Sequence, residues 1–255
     1  MTLERKSAII TGASRGIGRA IALRLMQEGA HVLLTARDEK ALREVASHSR
    51  SKSAVVACDL GKPESAEKVV TTALEQFDSL DILVNNAGAT KRGDFESLSE
   101  EDWQDGFALK FFGAVRLTRF AWPHLRARSG GLVNIAGSGG RTPGPQFTIG
   151  GSVNAALLSF TKAMADLGIR DNVQVNTINP GPVKTDRLNR RLETLARERN
   201  LDEAAALDVF IREEKVLRIG EPEDIAALVA FILSPHGRYI HGSLIDADGG
   251  STKTV

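Results

Sequence analysis

The chain contains a glycine-rich turn of the kind that binds phosphate groups. The segment TGASRGIG, residues 11–18, directly follows a short apolar run, SAII (7–10), and opens a helix-like stretch. Gly12 permits a tight turn, and Gly16 and Gly18 let backbone N–H groups and the helix N-terminus approach a pyrophosphate. The spacing is G-x-x-x-G-x-G, not the G-x-G-x-x-G of the commonest dinucleotide fingerprint. Because the turn lies between a strand and a helix, it predicts a dinucleotide site.

Two arginines flank the expected ribose end of that site. The second apolar run, HVLLTA (31–36), ends at Ala36, where a carboxylate would hold a ribose 2′-hydroxyl. Arg37 follows it, and Arg15 lies inside the glycine turn. Two guanidinium groups and no carboxylate suit a 2′-phosphate, which predicts NADP(H) rather than NAD. The alternative is that both are ordinary surface arginines.

The elements that must position these residues alternate along the chain. Apolar runs without polar alternation are typical of strands buried on both faces, and amphipathic stretches between them indicate helical crossovers. The pattern predicts an α/β fold with one Rossmann-type, doubly wound parallel sheet of about seven strands, flanked by helices, in a single domain over 1–255. The predicted strands are 7–10, 31–36, 54–58, 81–86, 132–136, 173–178 and 244–247, and the predicted helices are 17–28, 39–48, 64–77, 101–127, 152–167 and 223–233.

One charged segment, 186–216, interrupts this alternation between a strand and a helix. Its sequence, DRLNRRLETLARERNLDEAAALDVFIREEKV, reads as helical. Two interpretations stay open: a solvated pair of surface helices, or a helical lid over the site.

The composition excludes several classes of function. A net charge of +1 does not suggest a nucleic-acid or membrane-surface partner, and a single cysteine, Cys58, excludes an internal disulfide framework. The five histidines show no metal-ligand spacing, so no metal site is expected. No apolar run reaches the length of a signal peptide or a membrane span, which predicts a soluble, cytoplasmic protein with a small-molecule substrate.

The glycine turn and several later motifs together resemble the short-chain dehydrogenase/reductase family, including members like the 3-oxoacyl-ACP reductases. These motifs are TGASRGIG, Asp59 after the third strand, NNAG (85–88), PGPVKT (180–185) and the tail from GEPEDIAALVAF to DADGG. The resemblance covers about residues 3–250 and implies an NADP-binding Rossmann fold, usually assembled as a homotetramer. It implies that Asp59 contacts the adenine, that Asn86 lies on the ribose side, and that Val183 and Thr185 lie along the carboxamide. The full expected cofactor set is Gly12, Ser14, Arg15, Gly16, Ile17, Gly18, Arg37, Asp59, Leu60, Asn86, Gly88, Pro180, Gly181, Val183 and Thr185.

The catalytic tetrad of that family is absent from this chain. Trp103 matches a family tryptophan, and the asparagine position seven residues later is Lys110. The serine, tyrosine and lysine positions fall on Gly137, Gly150 and Asn154. No shift of the alignment restores the tyrosine, because the chain has a single tyrosine, near its last strand. Glycine at both the serine and tyrosine positions is expected to leave about the volume of a phenol empty.

Two polar residues remain as candidates for the missing chemistry. Lys110 lies among apolar residues in FALKFFGAV; it either points into the pocket, where desolvation would lower its pKa, or extends its amine outward to water. Ser138, beside the serine position, is expected either to hydrogen-bond a substrate oxygen or to be an ordinary loop hydroxyl. Three further loop residues, Arg141, Gln146 and Thr148, are weaker candidates for the site lining.

The resemblance favours a divergent NADP(H)-dependent oxidoreductase acting on an unidentified carbonyl or alcohol. A proton must accompany the hydride, and the usual phenol is not there to deliver it. Two alternatives stay open: a non-redox enzyme on the same fold, such as an epimerase, lyase or hydratase, or a catalytically silent protein that binds NADP(H).

Overall fold

A seven-stranded parallel sheet forms the centre of the protein, in a computed structural model that describes residues 2–254. The strand order is β3-β2-β1-β4-β5-β6-β7, and every neighbouring pair is parallel. The strands are β1 Ser7–Thr11, β2 His31–Ala36, β3 Ser53–Ala57, β4 Ile82–Asn85, β5 Gly131–Ile135, β6 Gln174–Pro180 and β7 Leu244–Ala247. The predicted fold class is confirmed, and all seven predicted strands are present with small differences at their ends.

Nine α-helices in the described chain connect the strands and cover the sheet. They are α1 Gly16–Gln27, α2 Glu39–Ala46, α3 Ser65–Phe77, α4 Glu100–Phe107, α5 Gly113–Ala127, α6 Thr148–Asp171, α7 Asp186–Arg199, α8 Glu203–Glu214 and α9 Pro222–Leu233. None of them is both long enough and apolar enough to cross a bilayer.

The apolar strands divide their side chains between two cores, one on each face of the sheet. In β1, Ile10 packs in the core that includes α1 and α9, whereas Ile9 packs in the core that includes α3 and α5. In β2, Leu34 and Leu33 divide in the same way. Successive side chains of a strand point to opposite faces, so a strand covered on both sides must be apolar throughout. This is why AII and VLL contain no polar alternation.

The sheet reverses its winding direction between β1 and β4. From β1 the chain winds outward to β3, and from β4 it winds the other way to β7. The carboxyl ends of parallel strands form a crevice at such a switch point, where ligands bind in open α/β sheets. The glycine turn follows β1 and the NNAG motif overlaps the end of β4, so the fold places both at this crevice.

Two helices differ from the prediction. The predicted helix 101–127 contains a π-helical turn, Ala108–Phe112, between α4 and α5. The helix predicted from residue 152 begins at Thr148, so Gly150 and Gly151 lie inside α6. Their helix propensity is poor, but a Cβ atom at Gly150 would overlap the ring of Phe147, and one at Gly151 would lie 2.8 Å from Pro143. Close packing explains both glycines.

Candidate functional site

The glycine turn leaves the N-terminus of α1 free for an anion. Gly12 and Gly16 have φ angles of +65° and +54°, which glycine adopts at little cost. Helix α1 begins at Gly16, no side chain caps it, and its first turn contains no acidic residue. The first N–H groups of a helix have no partner within the helix. Their arrangement at this turn therefore suits a pyrophosphate.

Asn86 holds the glycine turn from the neighbouring strand. Its amide Nδ2 donates to the carbonyl of Thr11 at 2.9 Å, and its backbone N–H donates to the Thr11 hydroxyl at 2.9 Å. A Cβ atom at Gly18 would overlap both the carbonyl of Gly12 and the Asn86 amide. Asn86, predicted to lie on the ribose side, is thus positioned beside the turn that would hold the phosphates.

The two arginines predicted for the 2′-phosphate both lie at the open end of the turn. Arg37 is exposed after β2 and forms no ion pair with any residue between 2 and 254. Arg15 is also exposed, with its guanidinium 3.7 Å from the carboxylate of Asp186. An exposed ion pair at this distance contributes little to stability, so both arginines are free to bind an anion.

Asp59 follows β3, where its carboxylate accepts the Gly61 N–H at 2.9 Å.

The segment after β6 closes the other side of the crevice. Gly181 N–H donates to the Ala247 carbonyl at 3.2 Å, which ties this segment to β7. A Cβ atom at Gly16 would lie 3.2 Å from the methyl group of Thr185, so the segment faces the glycine turn directly. The other predicted cofactor residues follow the carboxyl ends of the same strands: Ser14 in the turn, Ile17 in α1, Leu60 buried after β3, Gly88 after β4, Pro180 at the end of β6 and Val183 after it.

Lys110 points into the protein, from the π-helical turn. Its side chain runs across Gly88, where a Cβ atom would lie 2.7 Å from the lysine Cδ. Its amine Nζ donates to the carbonyl of Ala136 at 2.6 Å, at the end of β5. Of the two orientations expected from the sequence, the structure has the inward one. A π turn changes the direction of side chains within a helix, and such turns are frequent at functional sites.

Burial, and after it the positive charge of Arg187, lowers the pKa of Lys110 from 10.5 to about 7. Removing an ammonium group from water disfavours its charged form, and a nearby like charge has the same effect. A lysine with this pKa exchanges protons readily near neutral pH, as a general acid or base must.

The space expected to be empty beside Gly150 is filled by the ring of Phe147. This ring overlaps the place that a Cβ atom at Gly150 would take, and its Cδ1 would lie 2.8 Å from a Cβ at Gly139. The expectation of a cavity with the volume of a phenol is therefore wrong. Phe147 precedes α6 by one residue, and a 3₁₀ turn, Pro145–Phe147, turns its side chain back over the helix. No larger side chain fits at position 150 unless Phe147 moves.

Asn154 and the glycines after β5 pack against one another. A Cβ atom at Gly137 would lie 3.0 Å from the Asn154 amide nitrogen, and one at Gly140 would lie 2.9 Å from the Asn154 Cβ. The buried Oδ1 of Asn154 has no hydrogen-bond partner among residues 2–254. Ser138 is half-buried beside them, and its hydroxyl forms no hydrogen bond within the described chain.

Two of the weaker candidates are bonded away from this group. Arg141 donates to the carboxylate of Asp246 at 2.7 Å, which draws it toward β7, and Gln146 donates to Asp94 at 3.4 Å. Thr148 lines a cavity with Gly140 and Gly151, and its buried hydroxyl has no hydrogen-bond partner among residues 2–254. Within residues 2–254, no group of histidine, cysteine and acidic side chains could hold a metal ion.

Known proteins match this chain along almost its whole length. A family model described as "Enoyl-(Acyl carrier protein) reductase" matches residues 12–252. The chain is 33% identical to the 3-oxoacyl-[acyl-carrier-protein] reductase FabG of Vibrio cholerae, with 98% of each chain covered. It is 34% identical to the short-chain dehydrogenase/reductase FrzI of a Cladobotryum species, over 98% of this chain and 96% of that one. The chain belongs to the short-chain dehydrogenase/reductase family.

A solved member of the family has nearly the same fold. The L-sorbose reductase of Gluconobacter frateurii, crystallised with NADPH and L-sorbose, superposes with a TM-score of 0.93 at 34% identity, over all of both chains.

The four residues expected at the tetrad positions, Lys110, Gly137, Gly150 and Asn154, pack against shared neighbours. Lys110 reaches the carbonyl of Ala136, the residue before Gly137. The Asn154 amide packs against Gly137, and the Phe147 ring covers Gly150.

Three residues of this cleft were not predicted from the sequence. Phe147 could have been noticed because it lies three residues before the tyrosine position. Arg187 donates to the Gly88 carbonyl at 2.9 Å, and Arg92 lies over the Phe147 ring. Both arginines belong to charged surface segments, and nothing in the sequence shows that they turn toward the cleft.

We expect Lys110→Met to stabilise the ligand-free protein at pH 6 more than at pH 9. The folded-state pKa of about 7 lies below the ordinary value of 10.5. The cost of holding the buried charge is full below the folded pKa, and it falls as the pH rises toward the unfolded value. The thermal midpoint of wild type and variant at the two pH values measures this difference.

The hydrogen bond to Ala136 is lost at both pH values, and because the charged amine forms the stronger bond, this loss offsets part of the expected difference. Lys40→Met, an exposed lysine on α2, is the matched control and should show little pH dependence. An equal shift of the Lys110→Met midpoint at pH 6 and pH 9 would mean that Lys110 is not desolvated.

Proposed function

We propose that this protein is an NADP(H)-dependent oxidoreductase that interconverts a carbonyl and an alcohol, with Lys110 in place of the family's tyrosine as proton donor and acceptor. The observation that supports this most directly is the inward Lys110 amine, bonded to the carbonyl beside the family's serine position. The bound nicotinamide would supply or accept the hydride. The chain must hold the cofactor, orient the substrate oxygen and move one proton.

The cofactor residues fit NADP(H). The uncapped N-terminus of α1 provides N–H donors for the pyrophosphate, and Arg15 and Arg37 provide positive charge without a competing carboxylate after β2. We assign the cofactor contacts to the residues of the glycine turn and of 180–185, together with Asp59, Leu60, Asn86 and Gly88. The bound NADPH and NADP of the solved relatives support the same cofactor.

The proton is transferred at the Lys110 Nζ atom. During reduction, a hydride adds to the carbonyl carbon, and Lys110 gives its proton to the oxygen, which becomes a hydroxyl group. The neutral amine then takes a proton from water. During oxidation, the neutral amine accepts the hydroxyl proton instead. Ser138 donates a hydrogen bond to the same oxygen and orients it.

The segment 186–216 consists of two helices joined by ion pairs. Arg191 bonds to Glu214 at 2.8 Å, and Arg199 bonds to Glu213 at 2.6 Å. It begins immediately after Thr185, at the edge of the crevice. We propose that α7 and α8 act together as the predicted lid over the site. We also propose that residues 1–255 form a single domain, of which this lid is a part.

A silent cofactor-binding protein is the second candidate. It is favoured by Phe147, because this ring covers the position from which the family's tyrosine would act. A panel of carbonyl compounds separates the two functions: oxidation of NADPH supports the reductase, and tight binding without turnover supports the silent protein. A reaction that leaves the NADPH absorbance unchanged would support an epimerase, lyase or hydratase.

We expect the protein to bind NADPH more tightly than NADH, and Arg37→Asp to shift the preference toward NADH. A bidentate arginine–phosphate contact exists only with the 2′-phosphate, and an aspartate there would favour a free 2′-hydroxyl. Fluorescence titration with both cofactors measures this, with Arg50→Asp as an exposed control. Equal affinities of the wild type for NADPH and NADH would exclude the assignment of Arg15 and Arg37 to the 2′-phosphate.

We expect Lys110→Met to reduce the reduction rate by about 10²–10⁴-fold, the usual contribution of general acid–base catalysis. In the wild type, reduction should slow as the pH rises through about 7, and oxidation should accelerate, because the charged and neutral forms of Lys110 serve opposite directions. Ser138→Ala should lower the rate and leave this pH midpoint in place. Stopped-flow measurement of NADPH oxidation across about pH 5.5–9, a range chosen to bracket a pKa of roughly 7, gives the reduction rates and their pH midpoint.

Simple ketones should be reduced slowly, since no positioned phenol is present. If the wild type reduces them at a normal rate, and the rate survives removal of both Lys110 and Ser138, another group donates the proton.

We propose that the protein assembles as a homo-oligomer, with a tetramer as the expected form. Phe112 and Phe120 are exposed by 45% and 38% on the helical segment 108–127. Large aromatic side chains on one face of a helix often mark a subunit contact. Light scattering at micromolar concentration should give a mass above the monomer, and Phe112→Glu with Phe120→Glu should lower it. A monomeric wild type would contradict this proposal.

A further inference from the structure

Several positive charges surround the cleft beside Lys110. Burial and the charge of Arg187 lower the pKa of Lys110, and burial and the charges of Arg191 and Arg187 lower the pKa of Arg92. The carboxylate that acts on Arg92 belongs to Glu214, and it already bonds to Arg191 at 2.8 Å. Positive charge with no carboxylate bonded to Arg92 makes this end of the cleft attractive to an anion.

Of these cations, Arg92 has the guanidinium group most available to bind an anion. Its guanidinium carbon lies 4.0 Å from the centroid of the Phe147 ring. It forms no ion pair or side-chain hydrogen bond with any residue between 2 and 254. Stacking on an aromatic face holds the guanidinium plane and leaves its N–H edge free, which is the geometry of bidentate carboxylate binding. Burial, and after it the charge of Arg191, lowers the pKa of Arg92 to about 10. Arg92 therefore stays protonated at neutral pH.

Phe147 connects this guanidinium to the reaction centre. The same ring that stacks on Arg92 also covers Gly150 and contacts the Gly139 position. An anion held by Arg92 would therefore lie along the cleft from Ser138 and Lys110. This distinguishes Arg92 from Arg187, which already donates to the Gly88 carbonyl at 2.9 Å.

We propose that the substrate bears a carboxylate, which Arg92 binds from its place on the Phe147 ring, on the side of the carbonyl away from the glycine turn. This inference rests on the proposed function and names its substrate class as oxo acids and the corresponding hydroxy acids. The carboxylate neutralises the excess charge of the cleft and fixes the distance of the carbonyl from Lys110. Arg92 is a binding residue in this account, and takes no part in proton transfer.

The test uses oxo acids of different length, each compared with its neutral amide. The probes are 4-oxopentanoate, 5-oxohexanoate and 6-oxoheptanoate, and the full-length protein is saturated with NADPH. Turnover of each oxo acid and of its amide is measured by NADPH oxidation. Binding without turnover is measured by calorimetry, with carboxylic acids of the same length that lack the ketone and with the amides of those acids. For at least one length, the acid should bind about 10-fold or more tightly than its amide, because the amide cannot form the charged contact.

Arg92→Gln should remove this preference for the acid, Arg92→Lys should retain part of it, and the exposed control Arg50→Gln should leave it intact. The affinity for NADPH should be the same in all four proteins. An equal preference in wild type and Arg92→Gln would overturn the inference, as would a parallel loss of NADPH affinity, which would assign Arg92 to the cofactor.

The two proposals fail separately. Arg92-dependent binding of the acids without any turnover would uphold the carboxylate site and refute the oxidoreductase. Reduction of neutral ketones and amides as fast as the acids, unchanged by Arg92→Gln, would uphold the oxidoreductase and refute the carboxylate site.

Discussion

The hydrogen bond from the Lys110 amine to the Ala136 carbonyl links the π turn, Gly88 and the segment after β5. It requires the π turn at 108–112 to aim the side chain inward, and it requires Gly88, where any larger residue would meet the lysine stem. Burial of this amine and the nearby charge of Arg187 lower its pKa to about 7, which is the property that the proposed proton transfer requires. Strongly shifted pKa values in clefts are common at functional sites.

The residues expected at the tetrad positions pack against shared neighbours. Glycines after β5 make room for Asn154, and Gly150 makes room for Phe147. Phe147 in turn supports Arg92, at the place proposed for an anion. A side chain added at Gly137 or Gly150 would collide with Asn154 or Phe147. A double-mutant analysis should treat these residues as coupled, because they share contacts.

Much of the fold could be predicted from the sequence, but less of the site. Apolar runs such as AII and VLL specify buried strands, and glycines at φ angles of +65° and +54° explain TGASRGIG by backbone geometry alone. The inward orientation of Lys110 could not be decided, because it depends on a π turn for which FALKFF has no local signal. Phe147 was missed for a related reason. The position of a loop side chain that folds back over a helix depends on long-range packing. Two glycines in the sequence indicate missing side-chain volume, but they do not show which neighbouring side chain fills it.

The pKa of Lys110 tests the central claim most directly. Uniformly ¹⁵N-labelled protein would be titrated by NMR with NADP⁺ bound, following the side-chain amine signal assigned by its absence in Lys110→Arg. The buried arrangement predicts a midpoint at about 7 that belongs to this one lysine. A midpoint above about 9.5, in the range of ordinary exposed lysines, would contradict the account.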